Sequence, residues 1–182
     1  SETTQNSFFV RLSYDYADKY FLDATFRTDG SSLFGDNNKY ANFYSFGAMW
    51  NIKAESFAKD IEWINNLQFK ASYGTMGNSG IDNYLSYGLT ESGKQYAGNP
   101  SWYLSSLSNP NLTWETLENL NIGLNATLFD RFTFNIEFYN KLTKNMLMYI
   151  PYSFQTGFAG GWGNVGNMRN RGIDLELRYD IL

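Results

Sequence analysis

The chain is expected to be all-β: an antiparallel segment of about seven strands from a transmembrane β-barrel, with long extracellular loops and one short periplasmic helix. Three observations predict this. Apolar and polar residues alternate with period two in segment after segment, which sends them to opposite faces of a strand. The connections are short at one end and long at the other, as in barrels with compact periplasmic turns and large outer loops. Several alternating stretches also outrun the ~5–6 residues of an ordinary strand and reach the ~9–11 that cross a bilayer.

In "FFVRLSYDY", Phe8, Val10, Leu12, Tyr14 and Tyr16 alternate with Arg11, Ser13 and Asp15. In "YFLDATFRTD", Tyr20, Leu22, Ala24 and Phe26 oppose Asp23, Thr25 and Arg27, and only "ADK" separates the two runs, a hairpin connection. Further strands are expected at 42–52, 67–76, 115–129, 132–148 and 164–180, with "DR" as a second tight turn before 132. The stretch 132–148 opens with Phe132, Phe134, Ile136 and Phe138 at every second position, and 164–180 carries Ile173, Leu175, Leu177 and Tyr179 against Asp174, Glu176, Arg178 and Asp180. The connections 30–41, 77–114 and 149–163 are long and rich in Gly, Asn and Ser. In "AESFAKDIEWINN", Phe57, Ile61 and Ile64 have helical spacing, which predicts the short helix, with Ser56 as its cap.

Alternation alone is met equally by a soluble β-sandwich that buries the aromatic face. Three features favour lipid as the neighbour of that face. The polar faces stay charged and Asn-rich over eight or more residues, aromatic side chains gather near strand ends, and 132–148 is longer than a crossing needs. The lipid side would then carry Phe8, Val10, Leu12, Leu22, Phe26, Phe132, Phe134, Ile136, Phe138, Ile173, Leu175 and Leu177. The wet side would carry Arg11, Asp23, Arg27, Lys70, Glu137, Asp174, Glu176 and Arg178.

Composition removes several other classes. Among 182 residues, 14 Lys and Arg face 18 Asp and Glu, so the basic field that nucleic acid requires is missing. No run approaches the ~18 apolar residues of a spanning helix. Without His or Cys, imidazole and thiolate metal sites and the common nucleophile–base pairs are unavailable within these residues. No cofactor or metal is expected, and "GDNNK" lacks the carboxylate spacing of a calcium loop. The chain opens on "SETTQNSFF", which suggests an internal piece of a longer protein.

Five phrases occur in succession: "RTDGSSLFGDNNKY" (27–40), "LQFKASYGTMGN" (67–78), "NPNLTWETLENLNIGLN" (109–125), "FYNKLTKNMLM" (138–148) and "NVGNMRNRGIDLEL" (164–177). Their wording, order and spacing resemble the barrel of the SusC/RagA family, the TonB-dependent outer-membrane importers of Bacteroidetes, over nearly the whole chain. Asn140 is a small departure, since the family more often has Asp there. The resemblance implies a barrel of about 22 strands, closed by an N-terminal plug and opened by a pull from TonB. It also implies a SusD-like surface lipoprotein as partner, and oligosaccharide or oligopeptide as cargo. Residues 1–182 would form part of the one barrel domain, with plug and remaining strands elsewhere. Seven strands cannot close such a barrel, so two open edges are expected.

The candidate chemistry is modest. Asp174 and Glu176 lie ~6.5–7 Å apart on one strand face, a spacing known from inverting glycosidases, yet Arg178 and Asp180 continue the row as a hydrated wall would, and no catalytic role is assigned. "GWGNVG" matches G-x-G-x-x-G but lacks the strand before it and the helix after it that a dinucleotide site needs. Tyr84, Tyr87, Tyr96, Trp102, Tyr103 and Trp162, in the two longest loops, are the candidate ligand-stacking residues. Most of them are expected to pack the loops on themselves. The function expected is import without covalent chemistry. A soluble carbohydrate-binding sandwich, or a barrel with structural or adhesive duties, is the alternative.

Overall fold

The computed structural model describes residues 4–33, 38–80 and 86–181. Eleven strands are present among them. In chain order these are β1 (Gln5–Tyr16), β2 (Tyr20–Ser31), β3 (Tyr40–Asn51), β4 (Ile64–Asn78), β5 (Thr90–Tyr96), β6 (Asn99–Leu104), β7 (Glu115–Leu128), β8 (Phe132–Lys144), β9 (Leu147–Pro151), β10 (Gly160–Asn164) and β11 (Met168–Tyr179). Seven of them make one antiparallel sheet in the order β1-β2-β3-β4-β7-β8-β11, and the pairs β5–β6 and β9–β10 are hairpins inserted into its long connections. The sheet is a meander, and β1 and β11 are its open edges.

The register keeps every apolar run on the same face. Leu12 pairs with Ala24, Ala24 with Phe46, Phe46 with Tyr73 and Tyr73 with Leu120. Closer to the turns, Ile122 pairs with Phe138 and Phe138 with Ile173, and Ile136 pairs with Leu175. No second sheet covers this face among the described residues: Phe8 is 67 % exposed, Leu12 68 % and Ile173 67 %. A large apolar side chain left in water forgoes ~1.5–3 kcal/mol, so a band of this size requires a non-aqueous neighbour. The sandwich alternative needs a second layer on this face, and the described residues supply none.

The apolar band runs obliquely across the register rows. The row that starts at Leu12, the middle of the β1 band, ends on Arg171 of β11. The β11 band, Ile173 to Tyr179, is centred roughly five residues further along. Five residues at ~3.4 Å over six strand spacings of ~4.8 Å give an angle of about 30°, near the ~35–45° strand tilt of membrane barrels. Aromatic rings border the band. At the short-turn end Tyr16, Tyr20 and Trp50 stack in sequence with centroids 6.5 and 6.4 Å apart, and Trp63 stacks on Phe129 at 5.9 Å. At the long-loop end Tyr44 meets Tyr73 at 6.1 Å.

The short turns are built alike. Ala17 and Asp18, and likewise Phe129 and Asp130, adopt left-handed φ of 53–58°. Lys19 N–H then donates to the Tyr16 carbonyl at 3.0 Å, and Arg131 N–H to that of Leu128 at 3.1 Å.

Four expectations need correction. The helix α1 is a single turn, Ser56–Lys59, preceded by a 3₁₀ turn at Ile52–Ala54, and its N-cap is Glu55 without a side-chain cap bond, so Ser56 caps nothing. Ala58 is the residue it buries, Phe57 is exposed, and Ile64 already belongs to β4. The Lys53 ammonium donates to the carbonyls of Ala58, Lys59 and Ile61 at 3.2, 3.0 and 2.7 Å, which folds the segment back before a second turn can form.

The expected strands 132–148 and 164–180 are each interrupted. Asn145 takes φ 54° and Gly166 φ 71°, and the two kinks face one another, with Met146 N–H donating to the Gly166 carbonyl at 3.3 Å and Val165 N–H to that of Met146 at 2.8 Å. Both strands end there, and β9–β10 pairs as a separate two-stranded sheet. The long connections 77–114 and 149–163 each hold strands of a hairpin, β5–β6 and β9–β10.

Candidate functional site

The sheet has two unlike faces, and the loop end carries a packed cap. All twelve expected lipid-side residues share the apolar face by register, and all eight expected wet-side residues share the opposite one. On the polar face several charges are paired locally. Arg11 Nε contacts Asp23 Oδ2 at 2.8 Å, Ser13 Oγ donates to the same oxygen at 2.7 Å, and Arg27 Nε contacts Asp29 Oδ2 at 2.8 Å. The Arg27 guanidinium also lies over the Phe43 ring, 5.6 Å from its centroid, and Arg178 contacts Asp180 at 3.0 Å. Exposed pairs of this kind add little stability, so they mainly neutralise charge on this face.

One row of this face reads Asp15, Phe21, Met49, Lys70, Gly123, Glu137 and Asp174. Gly123 places no side chain between Lys70 and Glu137, and the face is concave there, around a hollow of ≈ 540 Å³ lined by residues including Asp23, Gly47, Ser72, Asn121 and Asn135. Asp174 stands directly opposite Glu137, like charge against like, and Glu176 opposite Asn135. Asp174 and Glu176 are both exposed on β11.

At the short-turn end Glu55 ties two connections together. Its carboxylate accepts from the Tyr20 hydroxyl at 2.6 Å and the Trp50 indole N–H at 3.2 Å, and meets Lys19 Nζ at 3.0 Å. These partners, the Tyr20 hydroxyl first and Lys19 next, hold the Glu55 carboxyl below its usual range.

The long-loop end is capped by a small core that the sequence reading did not identify. Leu112 is fully buried against Phe43 and Trp114, with Ala41, Leu147 and Trp162 packed around them. Phe43 and Trp114 meet edge to face at 5.8 Å, and Trp114 Nε1 donates to the Asn38 carbonyl at 3.2 Å. Asn164 Nδ2 donates to the carbonyls of Thr113 and Asn145, while Asn109 Nδ2 donates to that of Trp162. The phrase "NPNLTWE" was the available signal, because an apolar pair set among Asn and Pro in a long loop marks local packing.

The candidate stacking residues separate accordingly. Trp162 packs against the cap and meets Tyr149 edge-on at 6.2 Å. The Tyr103 hydroxyl donates to Glu91 at 3.0 Å. Tyr87 is about half exposed, while Tyr96 and Trp102, on the β5–β6 hairpin, are 81 % and 74 % exposed. Tyr84 lies outside the described residues. Among the five described residues, the hairpin rings Tyr96 and Trp102 are thus the most exposed, and these five are not gathered into one site.

The family model described as "TonB dependent receptor-like, beta-barrel" matches residues 1–182. The chain is 42 % identical over 178 residues to TonB-dependent receptor P26 of Formosa agariphila, which covers 94 % of this chain and 18 % of that protein. It is 31 % identical over 186 residues to TonB-dependent receptor SusC of Bacteroides thetaiotaomicron, covering 97 % and 18 %. The solved structure of the RagAB peptide transporter superposes with a TM-score of 0.91 at 37 % identity, covering 100 % of this chain and 20 % of that one. The chain thus spans about a fifth of the length of these relatives.

Proposed function

We propose, since this chain belongs to the TonB-dependent receptor-like β-barrel family, that its sheet is one wall of a TonB-driven nutrient importer. The family's barrels sit in the outer membrane, and this sheet is part of one. In this reading the twelve residues from Phe8 to Leu177 face lipid, and the short turns with Glu55 lie on the periplasmic side. The polar face lines the lumen. Its ion pairs and its amides Asn119, Asn121, Asn125 and Asn135 make a wet, polar surface along which a plug or a solute can slide. The work of opening comes from TonB acting on chain outside these residues, and no covalent step is involved. A SusD-like lipoprotein is the proposed partner at the loop end, and the cargo class is oligosaccharide or oligopeptide. Tyr96 and Trp102 would stack on it, since flat rings serve sugar faces and apolar side chains alike.

The observation that carries this reading is the two-faced sheet, with a continuous apolar band bordered by aromatic rings on one side and a polar, charged face on the other. It is tested by mass spectrometry of the full-length protein extracted gently from outer membranes. A co-purifying surface lipoprotein with bound glycan or peptide is the expected result. Recovery from the aqueous fraction without any partner would overturn the reading.

A further inference from the structure

We propose that Arg169 and Arg171 form a binding site for the phosphate of an anionic lipid in the outer leaflet. The proposal rests on the apolar face being the lipid side. Arg171 pairs with Asn140 and Arg169 with Leu142, in continuation of the Phe138–Ile173 pair. Both arginines therefore project on the apolar face, at its first two positions past the band toward the long loops. That is the depth at which headgroups begin.

Both residues are exposed, and among the described residues neither guanidinium has a hydrogen-bond, ion-pair or ring partner on the β8 side, the other edge of β11 being open in this sheet. The nearby cation Lys144 is already matched by Glu118 at 2.5 Å, which also commits the one acid in Arg169's row on this face. On β1 to β4 the corresponding positions are neutral: Asn6, Thr28, Gly30, Asn42 and Thr75. Within this sheet the positive charge on the apolar face is thus local to β8 and β11.

The geometry suits one phosphate. Two side chains on one strand face start ~7 Å apart, so two long guanidinium forks can converge on a single tetrahedral anion, each donating two parallel hydrogen bonds. A free phosphate would gain nothing further. A lipid phosphate also brings acyl chains that lie against Ile173, Phe138 and Leu175 directly below, so the headgroup and the band bind one molecule together.

The test uses the full-length receptor in nanodiscs of phosphatidylethanolamine, with and without diphosphoryl lipid A, and counts retained lipids by native mass spectrometry. Arg169→Gln/Arg171→Gln is compared with Arg11→Gln/Arg178→Gln, which removes the same charge from the opposite face, and folding of each is checked by heat-modified gel mobility. Loss of retained lipid A only in the first variant, with affinity lowered roughly ten- to thirtyfold, is expected. Equal retention in both variants, or competition by inorganic phosphate as strong as by lipid A, overturns the site. Failure of the unmodified receptor to retain any lipid, phosphatidylethanolamine included, would instead strike the lipid-facing assignment itself.

Discussion

Asn164 and Thr113 hold one another twice. Thr113 N–H donates to Asn164 Oδ1 at 2.9 Å, and Asn164 Nδ2 returns a bond to the Thr113 carbonyl at 2.8 Å. One side-chain amide thus completes the pairing of a backbone that has no strand beside it, and fastens the β9–β10 hairpin to the segment leading into β7. Asn164→Ala removes both bonds and a third to the Asn145 carbonyl, at ~1–3 kcal/mol of local stability. Hydrogen exchange in 147–164 should accelerate while β7 and β8 stay protected. Unchanged exchange in the hairpin would show that its packing suffices without the clamp.

Phe134 and Asn135 are adjacent in sequence and opposite in facing. Phe134 lies near the middle of the apolar band on β8, so Phe134→Arg should cost ~2–4 kcal/mol, while Asn135→Arg, on the wet face, should be mild. Refolding of the full-length barrel into bilayers under a denaturant series reads the difference. Equal tolerance would reverse or abolish the assigned facing.

Acid should loosen the Glu55 junction. Because its carboxyl is held below the usual 4.5, the folded state favours the ionised form. The resulting stability is fully present above that value and fades as pH falls through the depressed folded value. Thermal melts of wild type and Glu55→Gln should differ most at neutral pH and converge on acidification. A gap that stayed constant with pH would show that charge at Glu55 plays no part.

Gly77 leaves room for the Phe43 ring. A Cβ there would collide with the Phe43 ring, which also meets Trp114 edge to face, so Gly77→Ala should cost ~1–3 kcal/mol by overpacking. Adding Phe43→Leu should recover part of the loss. Full stability of the single variant in chemical denaturation would mean that the loop cap yields more readily than its buried Leu112 implies.

The loop aromatics divide into two kinds with opposite expected phenotypes. Tyr96→Ala and Trp102→Ala should leave stability within ~0.5 kcal/mol and slow cargo uptake several-fold. Trp162→Ala should lower the melting temperature through the cap. Uptake unaffected by the hairpin variants would remove Tyr96 and Trp102 from the binding surface.

The seven wall strands were legible because a strand with lipid on one side and water on the other must alternate, as Phe132–Phe138 does without exception. The hairpins were not, because nothing buries them on one side only: "TESGKQY" is polar throughout, and its turn signal, Ala97–Gly98 with φ of 50° and 79°, reads as one more loop. The breaks at Asn145 and Gly166 escaped for a related reason, since a kink leaves the period intact on both sides. On the polar face, position was readable from parity but partnership was not. That Arg11 reaches Asp23, its diagonal neighbour on β2, depends on a register that only the paired strands define. Similarly, the helical spacing of Phe57, Ile61 and Ile64 could not reveal that Lys53 would fold the segment after one turn.

The oblique course of the apolar band means that rungs of the sheet are not contours of equal depth. Leu12 shares a rung with Arg171, yet it lies level with the Leu175–Leu177 stretch, and the sheet resembles a ramp whose steps each climb about one residue per strand. Altitude above the membrane midplane is therefore the coordinate along which substitutions on this wall sort themselves. Two residues joined by backbone hydrogen bonds can belong to different solvents, while two on distant strands share one.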